Sequence, residues 1–297
     1  MLRIFEWRHN FSRIRAPLLL ELSEMARQMT TSAFHKSKTL DNKYMLGDEI
    51  GKGAYGRVYK GLDLENGDFV AIKQVSLENI AQEDLNIIMI NKRRQEQAAE
   101  NGIIPHLLHF IMSDSTLRQY ALPLLCDMAH ASRNSREQLR AHGGLDVYLS
   151  LLEDNIWSVT SLDSIAVCLA HDNENRKVEQ ALLKKDAIQK LVKFFQCCPE
   201  QHFLHILEPF LKIITKSSRI NTTLAVNGLT PLLILRLDHP DAIARLNLLK
   251  LIKAVYEHHP RPKQLIVEND LPQKLKNLIE ERRGEERWTE FWGPSFG

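Results

Sequence analysis

The chain has 297 residues, 44% of them hydrophobic and 26% charged, which is enough for an extended helical array and a small second domain. Its formal net charge of +2 gives no overall argument for a nucleic-acid partner. The spacing of the four cysteines does not suggest a disulfide framework, which predicts a reducing, cytoplasmic setting. No run of sequence approaches the ~20 apolar residues of a membrane span.

Residues 1–43 mix arginines with aromatic and aliphatic residues, and we predict a basic, disordered arm. An arginine-rich amphipathic start is one feature of an organelle transit peptide, but Glu6, Glu21 and Glu24 break the acid-poor rule. The alternative interpretation is that the protein starts at Met25 or Met29, with upstream sequence before it.

The sequence pattern changes at Tyr44, where two extended runs are joined by a turn at Asn66-Gly67-Asp68. The first run contains Gly-x-Gly-x-x-Gly-x-Val, and the second contains Val-Ala-Ile-Lys, ending at Lys73. Together these motifs are typical of the first strands of a protein kinase, in which the glycines let the backbone approach ATP and the lysine contacts its phosphates. A glycine-rich hairpin without a ligand is the alternative. The predicted ATP-binding residues are Ile50, Gly51, Lys52, Gly53, Ala54, Tyr55, Gly56, Arg57, Val58 and Lys73.

The kinase pattern stops after residue 89, so residues 44–89 form only a truncated N-terminal lobe. A kinase needs a Glu on the next helix to pair with Lys73. The chain contains no His-Arg-Asp, Asp-Phe-Gly or Ala-Pro-Glu, so no catalytic residue is assigned and ATP binding is expected to be weak or absent. Helix-forming residues from Gln82 to Glu100 predict one nearly continuous helix on which three strands lean.

Residues 90–283 repeat one pattern about every 42 residues, a period typical of armadillo or HEAT arrays. Apolar residues four and seven places after each anchor lie on one helical face that neighbouring units must bury. The fold class is therefore mainly α: an armadillo/HEAT-like solenoid of about four to five repeats, preceded by a small three-stranded antiparallel kinase fragment. The anchors are Ile103, Leu145, Ile188, Leu229 and Leu271.

Each repeat should contain a short first helix, the anchored helix and a longer third helix. The third helices are predicted at Thr116–Ser132, Val159–His171, His202–Lys216 and Ala242–His258. Pro123 and Pro209 should kink two of them. Gly102 and Gly228 precede anchored helices, where the chain must turn sharply.

Third helices line the concave face of armadillo proteins, and in nuclear-import receptors that face carries ladders of Trp and Asn for basic peptides. Neither ladder is present here, so we predict a protein partner in the groove but not an import-type peptide; no oligomeric state is predicted. The equivalent positions hold Asp127, Cys168, Ile213 and Lys253 for Asn, and Pro123, Ser164, Pro209 and Leu249 for Trp.

Three other features of the sequence are not assigned a binding site. Cys197-Cys198 with His202 and His205 fits no zinc spacing, so no metal site is predicted. The basic runs at 92–94 and 184–185 are interpreted as solvated helix faces. The aromatic tail at 284–297 either caps the last repeat or is unstructured.

Two segments of the chain resemble plant MAP kinase kinase kinases of the epsilon type. Residues 25–89 carry the resemblance through Phe34 to Tyr44 and Gly51 to Asp68; residues 95–283 carry it through Gln95 to Pro105 and Tyr256 to Leu265. The resemblance implies, for the full-length relatives, a serine/threonine kinase of a MAP kinase cascade with C-terminal armadillo-like repeats, linked to cell division and growth.

This chain joins the two ends of that pattern near residues 89–95 and omits most of the kinase. Alternative splicing, a gene-model artefact and a truncated gene copy each account for such a join. We therefore expect a non-catalytic protein-binding scaffold that competes with a full-length kinase for a partner. The alternative is an ATP-binding serine/threonine kinase of the cascade.

Overall fold

The computed structural model describes residues 2–7, 39–40, 43–53, 56–76, 80–113, 115–172 and 176–280. Two compact units, Met1–Leu124 and Leu125–Gly297, are described separately. The division falls inside a helix rather than at residue 89. Most of the predicted arm and the whole tail at 284–297 lie outside the described residues.

The first unit contains a five-stranded antiparallel sheet. The predicted three strands are present, and two more come from the predicted arm. The first strand pairs along its whole length with the fifth, from Leu2 opposite Ser76 to Trp7 opposite Ala71, and so covers an edge that three strands would leave unpaired. In the order β1-β5-β4-β3-β2, the strands are β1 (Leu2–Trp7), β5 (Phe69–Ser76), β4 (Gly56–Asp63), β3 (Tyr44–Gly53) and β2 (Thr39–Leu40).

One face of this sheet forms a small apolar core of Tyr44, Val70 and Ile72, with Leu46 packed against it. Gly61 lies opposite Val70 in the neighbouring strand. A Cβ atom at residue 61 would lie 2.3 Å from Ile72 Cδ1. Ile72 is buried, so the glycine is required for the close approach of these strands.

The predicted continuous helix over residues 82–100 is wrong, because two helices meet at a break. Asn91 is extended (φ −141°, ψ 122°), and its side chain accepts the Arg93 N–H at 2.8 Å. Gln95 Nε2 also donates to the Met89 carbonyl at 3.0 Å. An N-cap asparagine starts a new helix even among strong helix formers. The helices that begin in this unit are α1 (Gln82–Met89), α2 (Lys92–Glu100), α3 (Ile103–Met112) and α4 (Arg118–Ala131).

The second unit repeats the predicted triplet of a short helix, an anchored helix and a long helix. The third helix of each triplet begins and ends within two residues of the predicted range. After the end of α4 come α5 (Arg133–Ala141), α6 (Gly144–Leu151), α7 (Ser158–Ala170), α8 (Lys177–Leu182), α9 (Lys185–Cys197), α10 (Glu200–Lys216), α11 (Ser218–Val226), α12 (Leu229–Leu235), α13 (Ala242–His258), α14 (Pro262–Glu268) and α15 (271–280).

The repeat pattern has the predicted physical cause. All five anchor residues are buried, and the left-handed glycines Gly102, Gly143 and Gly228 precede anchored helices at φ values of 79°, 80° and 101°. In the second unit, α10 packs against both α7 and α13. Pro209 is accommodated inside α10. Among the described residues, no single helix is long and apolar enough to cross a membrane, and the one pair that suffices together is bent by 75°.

Candidate functional site

The glycine-rich hairpin joins β3 and β4. Gly51 lies opposite Val58, and Val58 in turn lies opposite Lys73 of β5. Directly opposed residues project to the same face of a sheet, so these three positions form one cross-strand row. Ala54 and Tyr55, at the tip, lie outside the described residues. The register therefore brings the predicted glycine, valine and lysine together on one face.

The remaining predicted residues lie around this row. Ile50 is exposed, as is Lys52. Arg57 donates to Glu49 Oε2 at 3.0 Å, which crosses the two strands of the hairpin. Gly53, the last residue of β3, is paired with Gly56, the first residue of β4. Whether these residues bind ATP remains a prediction.

Lys73 is paired with a carboxylate that the sequence analysis missed. Its Nζ lies 2.6 Å from Asp84 Oδ1, in the first turn of α1, and Asp84 is only 2% exposed. The kinase pattern predicts a Glu on the next helix as the partner of Lys73, and here the partner is an Asp, in a first turn where the helix dipole favours a carboxylate. Asp84 Oδ2 is buried and has no hydrogen-bond partner among the described residues. The ion pair fixes the strand lysine against α1.

The third helices α7, α10 and α13 present a second candidate site in the other unit. Ion pairs run along it: His130 Nε2 lies 3.2 Å from Asp163 Oδ2, and Lys212 Nζ lies 3.7 Å from Asp163 Oδ1 and 3.2 Å from Glu208 Oε1. The hydrogen bond from His130, followed by the charges of His130 and Lys212, holds the pKa of Asp163 below its usual value. Exposed apolar residues on the same helices are Leu204, Ile243, Leu246 and Leu249.

The predicted register of this surface was wrong for α7 and α10. Ser164, Cys168, Pro209 and Ile213 were assigned to the groove, yet all four are buried. Asp127, Lys253 and Leu249 are exposed as predicted. A third helix of a solenoid is packed on more than one side, so apolar spacing alone does not identify its solvent-facing strip.

The cysteines form no metal centre among the residues that the structure describes, where no group of three or more His, Cys, Asp or Glu side chains converges. Cys197 is exposed on α9, and His205 is exposed on α10. Burial raises the pKa of Cys126 to about 11 and that of Cys168 to about 12, so both thiols stay protonated at neutral pH.

The helical part of the chain has the fold of an armadillo repeat protein. A designed armadillo repeat protein in complex with the peptide (KR)4 matches with a TM-score of 0.56 and 17% identity, covering 68% of this chain and 88% of that one. A second designed armadillo repeat protein matches with a TM-score of 0.54, 17% identity and the same coverage. The armadillo-like fold class is therefore confirmed.

By sequence, the chain is similar to the MAP3K epsilon protein kinases and spans about a fifth of their length. MAP3K epsilon protein kinase 1 of Arabidopsis thaliana is 69% identical over 277 residues, and MAP3K epsilon protein kinase 2 of the same plant is 66% identical over 277 residues. Each match covers 93% of this chain and 19% of the relative. Cytokinesis protein sepH of Emericella nidulans is 35% identical over 216 residues, which is 70% of this chain and 16% of the relative. The predicted resemblance is confirmed. No protein-family model matches the chain.

Proposed function

We propose that this chain acts as a protein-binding armadillo domain of the MAP3K epsilon type, using its third-helix surface. The observation that carries the proposal is the exposure of Leu204 on α10 and of Leu246 and Leu249 on α13, two helices that pack side by side. Both helices have 17 residues, and Leu204 and Leu246 are each the fifth residue of their helix. Single exposed leucines are ordinary, but repeated ones on adjacent helices are typical of a binding surface.

Charged side chains border these leucines. Glu208 and Lys212 follow Leu204 on α10, and Lys250 and Lys253 follow Leu249 on α13. An apolar centre with a charged rim is the usual composition of a protein interface. The partner would present an apolar segment, and a full-length relative that carries the same surface would compete for it. The four free cysteines support a cytoplasmic location for this interaction.

The test compares a surface variant with a matched control. Pull-downs with the wild-type chain and with a full-length MAP3K epsilon relative identify the partners that the two share. The Leu246→Asp/Leu249→Asp variant should no longer bind these shared partners. Val226→Asp and Val267→Asp, at exposed positions on α11 and α14, should retain them. Circular dichroism confirms that each variant is folded. The proposal fails if the chain shares no partner with the relative, or if the control variants lose the partners equally.

A second candidate function is ATP binding by the glycine-rich hairpin. It is favoured by the row of Gly51, Val58 and Lys73 and by the pairing of Lys73 with Asp84, which places a lysine–carboxylate pair beside a glycine-rich turn. The sequence contains no catalytic-loop or magnesium-binding motif, so we expect weak binding or none. Calorimetry with Mg-ATP is the test. Micromolar affinity that is abolished by Lys73→Ala, in a variant that circular dichroism shows to be folded, would establish this function.

A further inference from the structure

A cavity of about 230 Å³ lies in the second unit, among α5, α6 and the facing ends of α7 and α8. Five of its lining side chains are basic or can become so: Arg133, Arg136 and Arg140 from α5, His171 after α7, and Lys177 from α8. The volume is below the ~300 Å³ at which pockets for drug-sized ligands begin. The cavity is therefore suited to a small group.

The two described acidic residues that line the cavity, Glu137 and Asp172, already have hydrogen-bond partners. Glu137 is bound to Arg140 one turn along α5, with Arg140 Nε 3.1 Å from Glu137 Oε2. Asp172 Oδ2 accepts the backbone N–H of Glu179 at 2.9 Å. Neither carboxylate makes an ion pair with Arg136 among the contacts that the structure describes. Among the described lining residues, four Lys and Arg side chains outnumber two carboxylates, so the net charge of the lining is positive.

Arg136 is the centre of this positive charge. Its guanidinium is half-buried and donates through Nη1 to the Ala129 carbonyl at 3.0 Å. Burial lowers its pKa, and the group that opposes this shift is the Cys168 thiol rather than a carboxylate. The pKa of His171 is lowered first by burial and then by the charges of Arg136, Lys216 and His130. Positive charges thus lie close together in a partly desolvated site, and a bound anion would reduce the repulsion between them.

We propose that this cavity binds the dianion of a phosphate monoester, with Arg136 as its principal ligand. The guanidinium presents parallel N–H donors that match phosphate oxygens, and one nitrogen remains anchored to the Ala129 carbonyl. Lys177 supplies a second positive charge at the rim. The phosphate could be carried by a phosphorylated side chain of a protein partner or by a free small molecule, and the two share the same recognition chemistry.

The binding test uses two probes at constant ionic strength. The chain is titrated by calorimetry with inorganic phosphate and with a short phosphothreonine peptide, alongside the same peptide without phosphate. Saturable binding of the phosphopeptide alone identifies a phosphorylated side chain as the ligand, whereas binding of both phosphorylated probes shows that free phosphate suffices. Equal binding of the unphosphorylated peptide, or no binding of any probe, would overturn the proposal.

Variants locate the site. Arg136→Gln should weaken phosphate binding by about tenfold or more, as expected for the loss of a charge-assisted hydrogen bond. The matched control is Arg245→Gln, because Arg245 also donates to backbone carbonyls, those of His239 and Pro240, but does not line the cavity. The control should bind like the wild-type chain.

A gain-of-binding variant keeps the test decisive if Arg136→Gln fails to fold. Glu137→Gln removes one of the two described carboxylates that line the cavity and releases Arg140. It should therefore tighten phosphate binding, a change that a merely structural role would not produce. Unaltered affinity in folded Glu137→Gln, or in folded Arg136→Gln, contradicts the proposal.

Discussion

At the scale of single residues, the contact between Lys73 and Asp84 joins the strand β5 to the helix α1. The pair is 2.6 Å long, with the carboxylate buried and about a third of the lysine side chain exposed. Removing one partner of such a pair leaves the other charge desolvated, which costs more than the pair itself contributes. The two partners should therefore differ in their sensitivity to substitution.

We expect Lys73→Met to destabilise the first unit by about 3 kcal/mol, because it leaves the Asp84 carboxylate buried without a cation. Asp84→Asn should cost less, about 1 kcal/mol, because Lys73 can turn its ammonium toward solvent. The double variant should be more stable than Lys73→Met alone. Hydrogen exchange of the β5 amides in urea provides the measurement, and equal losses in both single variants would contradict this account.

A pH effect is expected at Asp163, whose folded-state pKa is lowered first by the His130 hydrogen bond. A carboxyl group with a lowered folded pKa stabilises the fold above its unfolded value, near pH 4, and loses that contribution as the pH falls through the folded value. Asp163→Asn should therefore lower Tm at pH 7 but have little effect at pH 2.5. Asp186→Asn, which removes a largely exposed partner of Lys190, should change Tm little at either pH. A constant effect of Asp163→Asn across this range would refute the assignment.

At the scale of elements, the helices of the array were predictable because their signals are local. An apolar anchor, partners four and seven residues later and a preceding glycine all fall within one short stretch of sequence. Strand β1 had no such signal, since its partner β5 lies far along the chain and only the tertiary fold brings them together. The break at Asn91 depended on one capping side chain among strong helix formers.

The left-handed glycine before α12 gives a prediction at this scale. Gly228 has φ 101°, and a Cβ atom placed there would meet nothing within 4 Å. Gly228→Ala should therefore destabilise the second unit by about 1 kcal/mol through backbone strain alone. Gly228→Asn should cost less, because asparagine tolerates this conformation better. Thermal unfolding distinguishes the two, and an alanine variant as stable as wild type would show that α12 begins differently.

At the scale of the whole molecule, two kinds of contact hold neighbouring repeats of the second unit together. Ion pairs link residues of neighbouring repeats: Lys193 with Glu153 at 3.1 Å, Arg236 with Glu200 at 2.6 Å, and Lys274 with Asp238 at 2.5 Å. These pairs lie largely at the surface, where such contacts contribute little. The buried face of α10, packed against α7 and α13, carries the apolar contacts between repeats.

The array should therefore unfold cooperatively when its core is damaged and hardly respond when a surface pair is removed. Leu207, on α10, is fully buried, so Leu207→Ala should cost about 2–5 kcal/mol. Because each repeat is stabilised by its neighbours, this loss should lower the urea midpoint of the helical signal as one transition. Lys193→Gln should cost less than about 1 kcal/mol. If Lys193→Gln proved as harmful as Leu207→Ala in urea titrations followed by circular dichroism, surface ion pairs rather than apolar stacking would hold the repeats together.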